Sequence, residues 1–133
     1  MPEPVFKYGL AVIKDKKLLV VRKRNTSKYI MPGGKPLEGE TAEQTLEREI
    51  WEELSRRIKT GSLDPFDTFE DRSALKPYPI IEMKVYLGEI EGVPKPSGEI
   101  VEVRWIEKSD LDLMTPIIKD KIVPALIKRG HIE

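Results

Sequence analysis

The 133 residues of this chain, 39% of them hydrophobic, suffice for one core, so we expect a single domain over residues 1–133. Its 23 basic and 23 acidic side chains cancel, and the absence of a long basic run argues against a nucleic-acid or membrane surface. The lack of cysteine excludes disulfides, thiolate metal sites and cysteine nucleophiles. With neither a signal peptide after Met1 nor an apolar stretch near the ~20 residues that span a bilayer, we expect a cytoplasmic protein whose partner is a small molecule.

Two hydrophobic segments near the N-terminus have the composition of β-strands. Residues 6–13 and 17–22 are rich in β-branched and aliphatic side chains, and a Lys-Asp-Lys turn separates them. This pattern predicts a β-hairpin. A polar loop over residues 25–28 follows, and residues 29–35 then lead as a short extended piece into a pair of glycines.

A helix is predicted directly after the glycine pair. Residues 42–54 contain neither proline nor glycine, Thr41 can cap their N-terminus, and Gln44 can complete a capping box. At ~100° per residue, the glutamates at positions 49, 52 and 53 fall within one arc of about 100°. The neighbouring arc carries Leu46, Ile50, Leu54 and Trp51. One flank of the helix therefore packs, and the next carries charge.

The second half of the chain alternates between strands and loops before a last helix. Strands are predicted over residues 63–71, 79–90 and 101–105, with a loop over residues 91–98. The final helix is predicted to be capped by Thr115, to have Pro116 at its first position, to be interrupted or kinked near Pro124, and to end at Gly130. Mixed strands with one helix in the middle and one at the end predict an α/β sandwich.

Negative charge is unusually concentrated around the first helix. Residues 38–53 contain seven glutamates and a single basic residue, Arg48. Glu49 and Glu53 form a like-charge pair at i, i+4, and the macrodipole disfavours acids in the C-terminal half of a helix. A solvated acidic face is one interpretation. The other is a bound cation, which would relieve both penalties; Mg²⁺ fits because it prefers oxygen ligands and is completed by substrate phosphates.

The segment that begins at the second glycine resembles the Nudix box, G-x5-E-x7-R-E-U-x-E-E-x-G-U, where U is aliphatic. The matching residues are Gly34, Glu40, Arg48, Glu49, Ile50, Glu52 and Glu53. Ser55 replaces the glycine of the pattern and Arg56 replaces the last aliphatic residue. Because that glycine would end the helix in a left-handed conformation, we expect the helix either to run on through Ser55 and Arg56 or to stop differently. The resemblance implies a Nudix-type α/β/α sandwich with a mixed sheet.

The same resemblance implies a Mg²⁺-dependent hydrolase, in which Mn²⁺ can substitute, acting on a phosphoanhydride of a nucleoside diphosphate linked to another group. The metal ligands would be Glu49, Glu52, Glu53 and the backbone carbonyl of Gly33. Glu49 or Glu53 would also act as the base. Arg48 would orient a glutamate, or would only form a surface ion pair with Glu52. Gly34 would support the loop, and Glu40 would support the loop or reach the metal through water.

Assignments outside the box are weaker. Arg22, Lys23, Arg24 and Lys35 either bind phosphates or are solvated cations. Glu99 is preferred over Glu102 as an additional metal-binding or basic glutamate. Trp51 and Trp105 are interpreted as core or cleft walls, and His131 as exposed and inert. The candidates for stacking on a base are Phe69, Tyr78 and Tyr86.

The leading substrate class is a nucleoside triphosphate, with an oxidised purine among the candidates, cleaved to the monophosphate and pyrophosphate. Two rivals remain open: a Nudix-like module that binds a nucleotide without turnover, and a structural helix whose acidic face contacts a basic partner. The chain can be a monomer or a homodimer.

Overall fold

The computed structural model describes residues 4–73 and 79–133, so that Tyr78 lies outside the described residues. These residues form strands β1 (Val5–Ala11), β2 (Ile13–Lys14), β3 (Lys17–Lys23), β4 (Gly33–Gly34), β5 (Asp64–Arg72), β6 (Ile80–Leu87) and β7 (Ile100–Ile106). The α-helices are α1 (Ala42–Leu54) and α2 (Val123–Lys128). The predicted strands and the first helix are confirmed to within a few residues at their ends.

The strands divide into two sheets. One has the order β4-β1-β6-β5 and is mixed, because β1 and β6 run parallel while β4 and β5 each pair antiparallel with a neighbour. The other has the order β2-β3-β7 and is antiparallel. The prediction of a mixed sheet in an α/β fold is confirmed.

The predicted hairpin is wrong in its extent. Only Ile13 and Lys14 pair with β3, around a turn in which Asp15 and Lys16 both have positive φ angles of 53° and 64°. Most of the first predicted strand instead becomes β1, which joins the other sheet. A turn with two positive φ angles matches the right-handed twist of a tight hairpin, but its two residues cannot specify which sheet the preceding segment joins.

Two hydrophobic cores lie on the two sides of the sheets. Buried residues of α1 pack with Leu10, Leu19 and Val21 on one side. On the other side, residues of the C-terminal helix pack with Val20, Met83 and others. Alternate strand residues point to opposite faces, so Leu19 and Val20 contribute to different cores, and the arrangement is the expected α/β/α sandwich.

Helix α1 begins and ends where the chain supplies local caps. Thr41 and Gln44 exchange hydrogen bonds of 3.1 and 3.0 Å, which complete the predicted capping box. The helix does not run on past Leu54, because Ser55 adopts a left-handed conformation with φ 52° and its N–H donates to the Trp51 carbonyl. A serine therefore takes the conformation that the Nudix pattern assigns to glycine.

The α-helical pattern of the C-terminal helix is interrupted near Pro124, as predicted. A π-helical turn, Ile118–Ile122, precedes α2 directly. Pro124 has no N–H to donate and its ring clashes with the preceding turn, so a wider turn is a physical solution. A short 3₁₀ helix, Lys108–Leu113, was not predicted. Among residues 4–73 and 79–133, helices of the length and apolarity required to cross a bilayer are absent.

Candidate active site

The centre of the site is a pair of acidic side chains on α1. Glu53 is only 8% exposed, and the Gly33 N–H donates to its Oε1 at 3.2 Å. The Glu49 carboxyl group lies within hydrogen-bonding reach of the Glu53 carboxyl group. Burial raises the pKa of Glu53 to about 9, with the Glu49 hydrogen bond as the second cause, while the Gly33 N–H acts in the opposite direction.

The two glycines of β4 are needed for this close approach. A Cβ built at Gly34 would lie 2.5 Å from Glu49 Cδ, and one at Gly33 would lie 2.1 Å from the Tyr8 carbonyl oxygen. Gly33 also has a φ angle of 136°, which favours glycine. The Gly-Gly sequence therefore brings the backbone of the sheet edge against the helix acids.

Arg48 ties the loop before α1 to the helix. Its Nε and Nη2 donate to the two oxygens of Glu40 at 2.8 and 2.9 Å, and its Nη1 donates to Glu49 Oε1 at 2.6 Å. The Arg48 hydrogen bonds are the main cause that lowers the pKa of Glu40 to about 2, and the Leu37 N–H adds to the effect. Such a bidentate contact fixes carboxylate geometry. Arg48 therefore does more than form a surface ion pair with Glu52.

Glu52 stands apart from the Glu49–Glu53 pair. Its side chain is 56% exposed, and its Oε2 lies 3.6 Å from Arg48 Nη1. Across the described parts of the chain, no three acidic, histidine or cysteine side chains are grouped closely enough to hold a metal ion. Two of the three glutamates are therefore together and the third lies beside the arginine. The metal-ligand roles of these glutamates and of the Gly33 carbonyl stay predictions.

The donor set nevertheless suits a divalent cation that prefers oxygen. The contact between Glu49 and Glu53 contains only oxygen atoms, and burial disfavours a negative charge on Glu53. A hard cation bound between these oxygens would compensate that charge.

A cavity of about 360 Å³ reaches this pair at Gly33. Part of its lining is apolar and comes from both the sheet and the C-terminal helix: Met31, Ile81, Met83, Ile117 and Ile118. The cationic part consists of Lys7, Lys23, Lys28 and Arg72. An apolar lining with a few charged groups is the usual composition of a small-molecule site.

Only one of the four predicted phosphate-binding residues lines this cavity. Lys23 does, whereas Arg22, Arg24 and Lys35 do not. Arg22 donates from Nε to Glu102 at 2.9 Å and from Nη1 to the Thr26 carbonyl. A register shift in β3 separates Arg22 from Lys23, and consecutive strand residues point to opposite faces.

Two candidate glutamates contact basic residues of β3: Glu99 lies just before β7, and Glu102 lies within it. Glu99, 82% exposed, lies 3.8 Å from Lys23. Glu102 contacts Arg22, and its pKa is lowered first by a hydrogen bond from Tyr29 and then by Arg22. The metal-binding role of Glu99 remains a prediction.

Several aromatic residues differ from expectation. Trp51 is 55% exposed with the Arg57 guanidinium 5.5 Å from its ring, so it is not part of a core; it lines a shallow cleft with Arg57 and Ile58, away from the cavity at Gly33. Trp105, by contrast, packs against the core on the α1 side. Phe69 packs against a core as well, and His131 is partly buried against Phe66 instead of being exposed.

Two residues of the site were missed from the sequence. Lys7 lines the cavity, and Tyr29 is 5% exposed beside Arg22 and Glu102. The signal for Lys7 was present: alternation in β1 places it on the face of Val5 and Ala11, which is buried. A lone lysine on an inward face of a strand indicates a functional group.

Comparison with known proteins agrees with the geometry. The NUDIX domain model matches residues 7–126. A MutT-like protein of Streptomyces ambofaciens is 25% identical over 123 residues, which cover 92% of this chain and 76% of the relative.

Two solved structures show the same fold. The MutT protein from Methanosarcina mazei Go1 aligns with a TM-score of 0.76 at 18% identity, over 98% of this chain and 99% of that one. The dihydroneopterin triphosphate pyrophosphohydrolase of E. coli aligns with a TM-score of 0.73 at 15% identity, over 96% and 98%. Because the family model spans most of the chain and the acid pair, Arg48 and the glycine edge stand together, the chain belongs to the Nudix family and is a pyrophosphohydrolase of phosphoanhydrides in small nucleotide substrates.

Proposed function

We propose that this enzyme hydrolyses a nucleoside triphosphate to the monophosphate and pyrophosphate, with Mg²⁺ as its cofactor and Mn²⁺ as a substitute. The observation that carries the proposal is the cavity of about 360 Å³ that Gly33 helps to line. Its apolar lining suits a nucleoside, and its lysines suit a phosphate chain that extends toward the Glu49–Glu53 pair. A structural neighbour is named as the pyrophosphohydrolase of dihydroneopterin triphosphate, and this name supports a substrate with a triphosphate chain.

In this proposal Glu49, Glu52, Glu53 and the Gly33 carbonyl hold the metal, with Glu99 as an additional ligand. A bound divalent ion neutralises the pyrophosphate oxygens and lowers the pKa of a water molecule.

The protein residues then position charge and move a proton. Arg48 holds Glu49 at 2.6 Å and Glu40 at 2.8 Å, so the helix acid and the loop move as one unit. Glu49 or Glu53 accepts a proton from the attacking water, and Lys23 contacts the phosphates. The water oxygen bonds to one phosphorus, the bond from that phosphorus to the bridging oxygen breaks, and the monophosphate and pyrophosphate leave.

A substrate panel tests the proposal. The protein is incubated with Mg²⁺ and each common and oxidised nucleoside triphosphate, nucleotide sugars and dinucleoside polyphosphates, and the products are separated by chromatography. We expect monophosphate and pyrophosphate from triphosphates. Products only from another class of the panel would overturn the choice of substrate. Tight nucleotide binding without products would instead favour a sensor.

A further inference from the structure

Lys7 occupies the border between the cavity and the acid pair. It lies in β1 between β4 and β6, in register with Met83, and lines the cavity together with Gly33 and Lys23. The next residue on the same face of the strand is Gly9, where a Cβ would lie 2.6 Å from Met83 Sδ. Met83 therefore fills the space over Gly9, and the Lys7 side chain is left on the cavity side.

The Lys7 amine has no protein partner among residues 4–73 and 79–133, where neither an ion pair nor a hydrogen bond is found for its Nζ. Other lysines of the cavity do have partners: Lys28 donates to the Asp112 carbonyl, and Lys23 lies 3.8 Å from Glu99. The pKa of Lys7 is lowered to about 8, first by burial and then by the charge of Lys23, while Glu53 and Glu49 act in the opposite direction. A cation that loses water without gaining an anion is disfavoured.

We propose that Lys7 binds the phosphate chain of the substrate between the nucleoside part of the cavity and the Glu49–Glu53 pair. This inference rests on the proposed function and assigns it a phosphate-binding residue outside the Nudix box. A lysine suits the position because its compact ammonium has three rotatable donors and a flexible stem. The acids lie on one side of the bound phosphate chain and the Lys7 amine on the other, so together they determine which phosphorus faces the acid pair.

The test measures binding of inorganic pyrophosphate, in the presence of Mg²⁺, to the wild type and to Lys7→Met. Pyrophosphate contains no base, so the result does not depend on base preference. Methionine keeps most of the length of the side chain and removes its charge. Loss of a charge-assisted contact predicts a dissociation constant raised about tenfold or more.

Lys84→Met is the matched control. Lys84 lies in the same sheet, paired with Tyr8 beside Lys7, and is also partly buried, but it does not line the cavity. We expect its pyrophosphate affinity to equal that of the wild type. Equal affinity of folded Lys7→Met and wild type would overturn the proposal.

A second measurement needs no variant. The wild type is acylated at pH 8 with an amine reagent, and the modification of Lys7 and Lys84 is measured by mass spectrometry with and without pyrophosphate. We expect pyrophosphate to slow the modification of Lys7 severalfold and to leave Lys84 unchanged. Equal rates at Lys7 in both conditions would contradict the inference even if Lys7→Met failed to fold.

The two proposals fail separately. Pyrophosphate binding that depends on Lys7, in a protein that leaves all triphosphates intact, would refute the substrate and retain Lys7. Triphosphate hydrolysis with the same KM in Lys7→Met would retain the substrate and refute Lys7.

Discussion

The acids of α1 and the lysines of the cavity meet at Gly33 but are partnered in opposite ways. Arg48 holds Glu40 at 2.8 Å and Glu49 at 2.6 Å, so these two acids of the helix region have a cationic partner within the protein. The Lys7 amine on the cavity side has no partner among the described residues, although burial lowers its pKa to about 8. The acid region is therefore assembled before the substrate arrives. In the cavity, by contrast, the Lys7 amine gains a partner only when an anion binds.

The largest expected effect is that of Glu53→Gln, which removes the charge at the centre of the acid region. The amide can still accept from the Gly33 N–H and donate to Glu49, so the fold is retained. Because a ligand or base is lost, we expect kcat to fall about 10²- to 10⁴-fold. Steady-state kinetics with Mg²⁺ and thermal unfolding check both expectations. Near-normal rates in a folded variant would remove Glu53 from the mechanism.

Gly34→Ala is expected to have the next largest effect, and it tests whether the acid geometry depends on the glycine edge. The new Cβ would lie 2.5 Å from Glu49 Cδ, which forces that carboxylate away from Glu53 and Arg48. A displacement of this order can reduce kcat about a hundredfold. The matched variant is Gly9→Ala, whose Cβ instead meets Met83 in the cavity. Gly9→Ala should raise KM more than it lowers kcat. If both variants changed KM and kcat in the same proportion, the acid region and the cavity would not have separate roles.

The acid region could be predicted from the sequence because its order is local. Helical periodicity, the Thr41–Gln44 capping box and the spacing of the glutamates all lie within one continuous segment. Helical periodicity correctly predicted that three glutamates share one side of α1. It cannot predict which of these side chains contact each other and which contact Arg48. Glu52 turns to Arg48, and only Glu49 and Glu53 meet.

The cavity could not be predicted in the same way, because its lining comes from segments distant in sequence. Lys7 reaches it only because β1 joins the sheet of β6, and the hairpin pattern of the sequence indicated a different pairing. Arg22 and Lys23 are adjacent, yet only Lys23 lines the cavity after the register shift in β3. Strand pairing and register are tertiary properties, and a one-residue shift exchanges the two faces of a strand.

The metal-free protein should lose stability as pH rises between about 5 and 7.5. The folded protein raises the pKa of Glu53 from 4.5 to about 9, so in this range it binds a proton that the unfolded chain has released. Glu40, with a pKa near 2, changes stability only below this range, and Lys7, with a pKa near 8, changes it only above. Denaturant unfolding in EDTA measures the slope.

Glu53→Gln is the control for this pH dependence. It should remove the downward slope, and Mg²⁺ should stabilise the wild type more at pH 7.5 than at pH 5, because the ion competes with the proton. Parallel slopes in the wild type and the variant would show that Glu53 is not the responsible group.

The smallest expected effect belongs to Ser55→Gly, which restores the Nudix pattern at the exit of α1. Ser55 has a φ angle of 52°, where an L-residue is strained and glycine is not. Part of that gain is lost because glycine has more freedom in the unfolded chain, so we expect roughly 0.5–1 kcal/mol of stabilisation. Thermal unfolding should show a Tm higher by about 2–5 °C, and Ser55→Ala, which keeps the strain, should show no gain.

Activity should not change in Ser55→Gly. Glu53 is held by the Gly33 N–H and by Glu49, and both contacts lie on the side of the acid pair and not at the helix exit. A higher Tm with unaltered kcat would show that the glycine of the pattern serves the end of the helix and the glutamates serve the chemistry. A fall in kcat would instead show that the end of α1 sets the position of Glu53, because the Glu53 carbonyl also accepts from the Ser97 N–H at 2.9 Å.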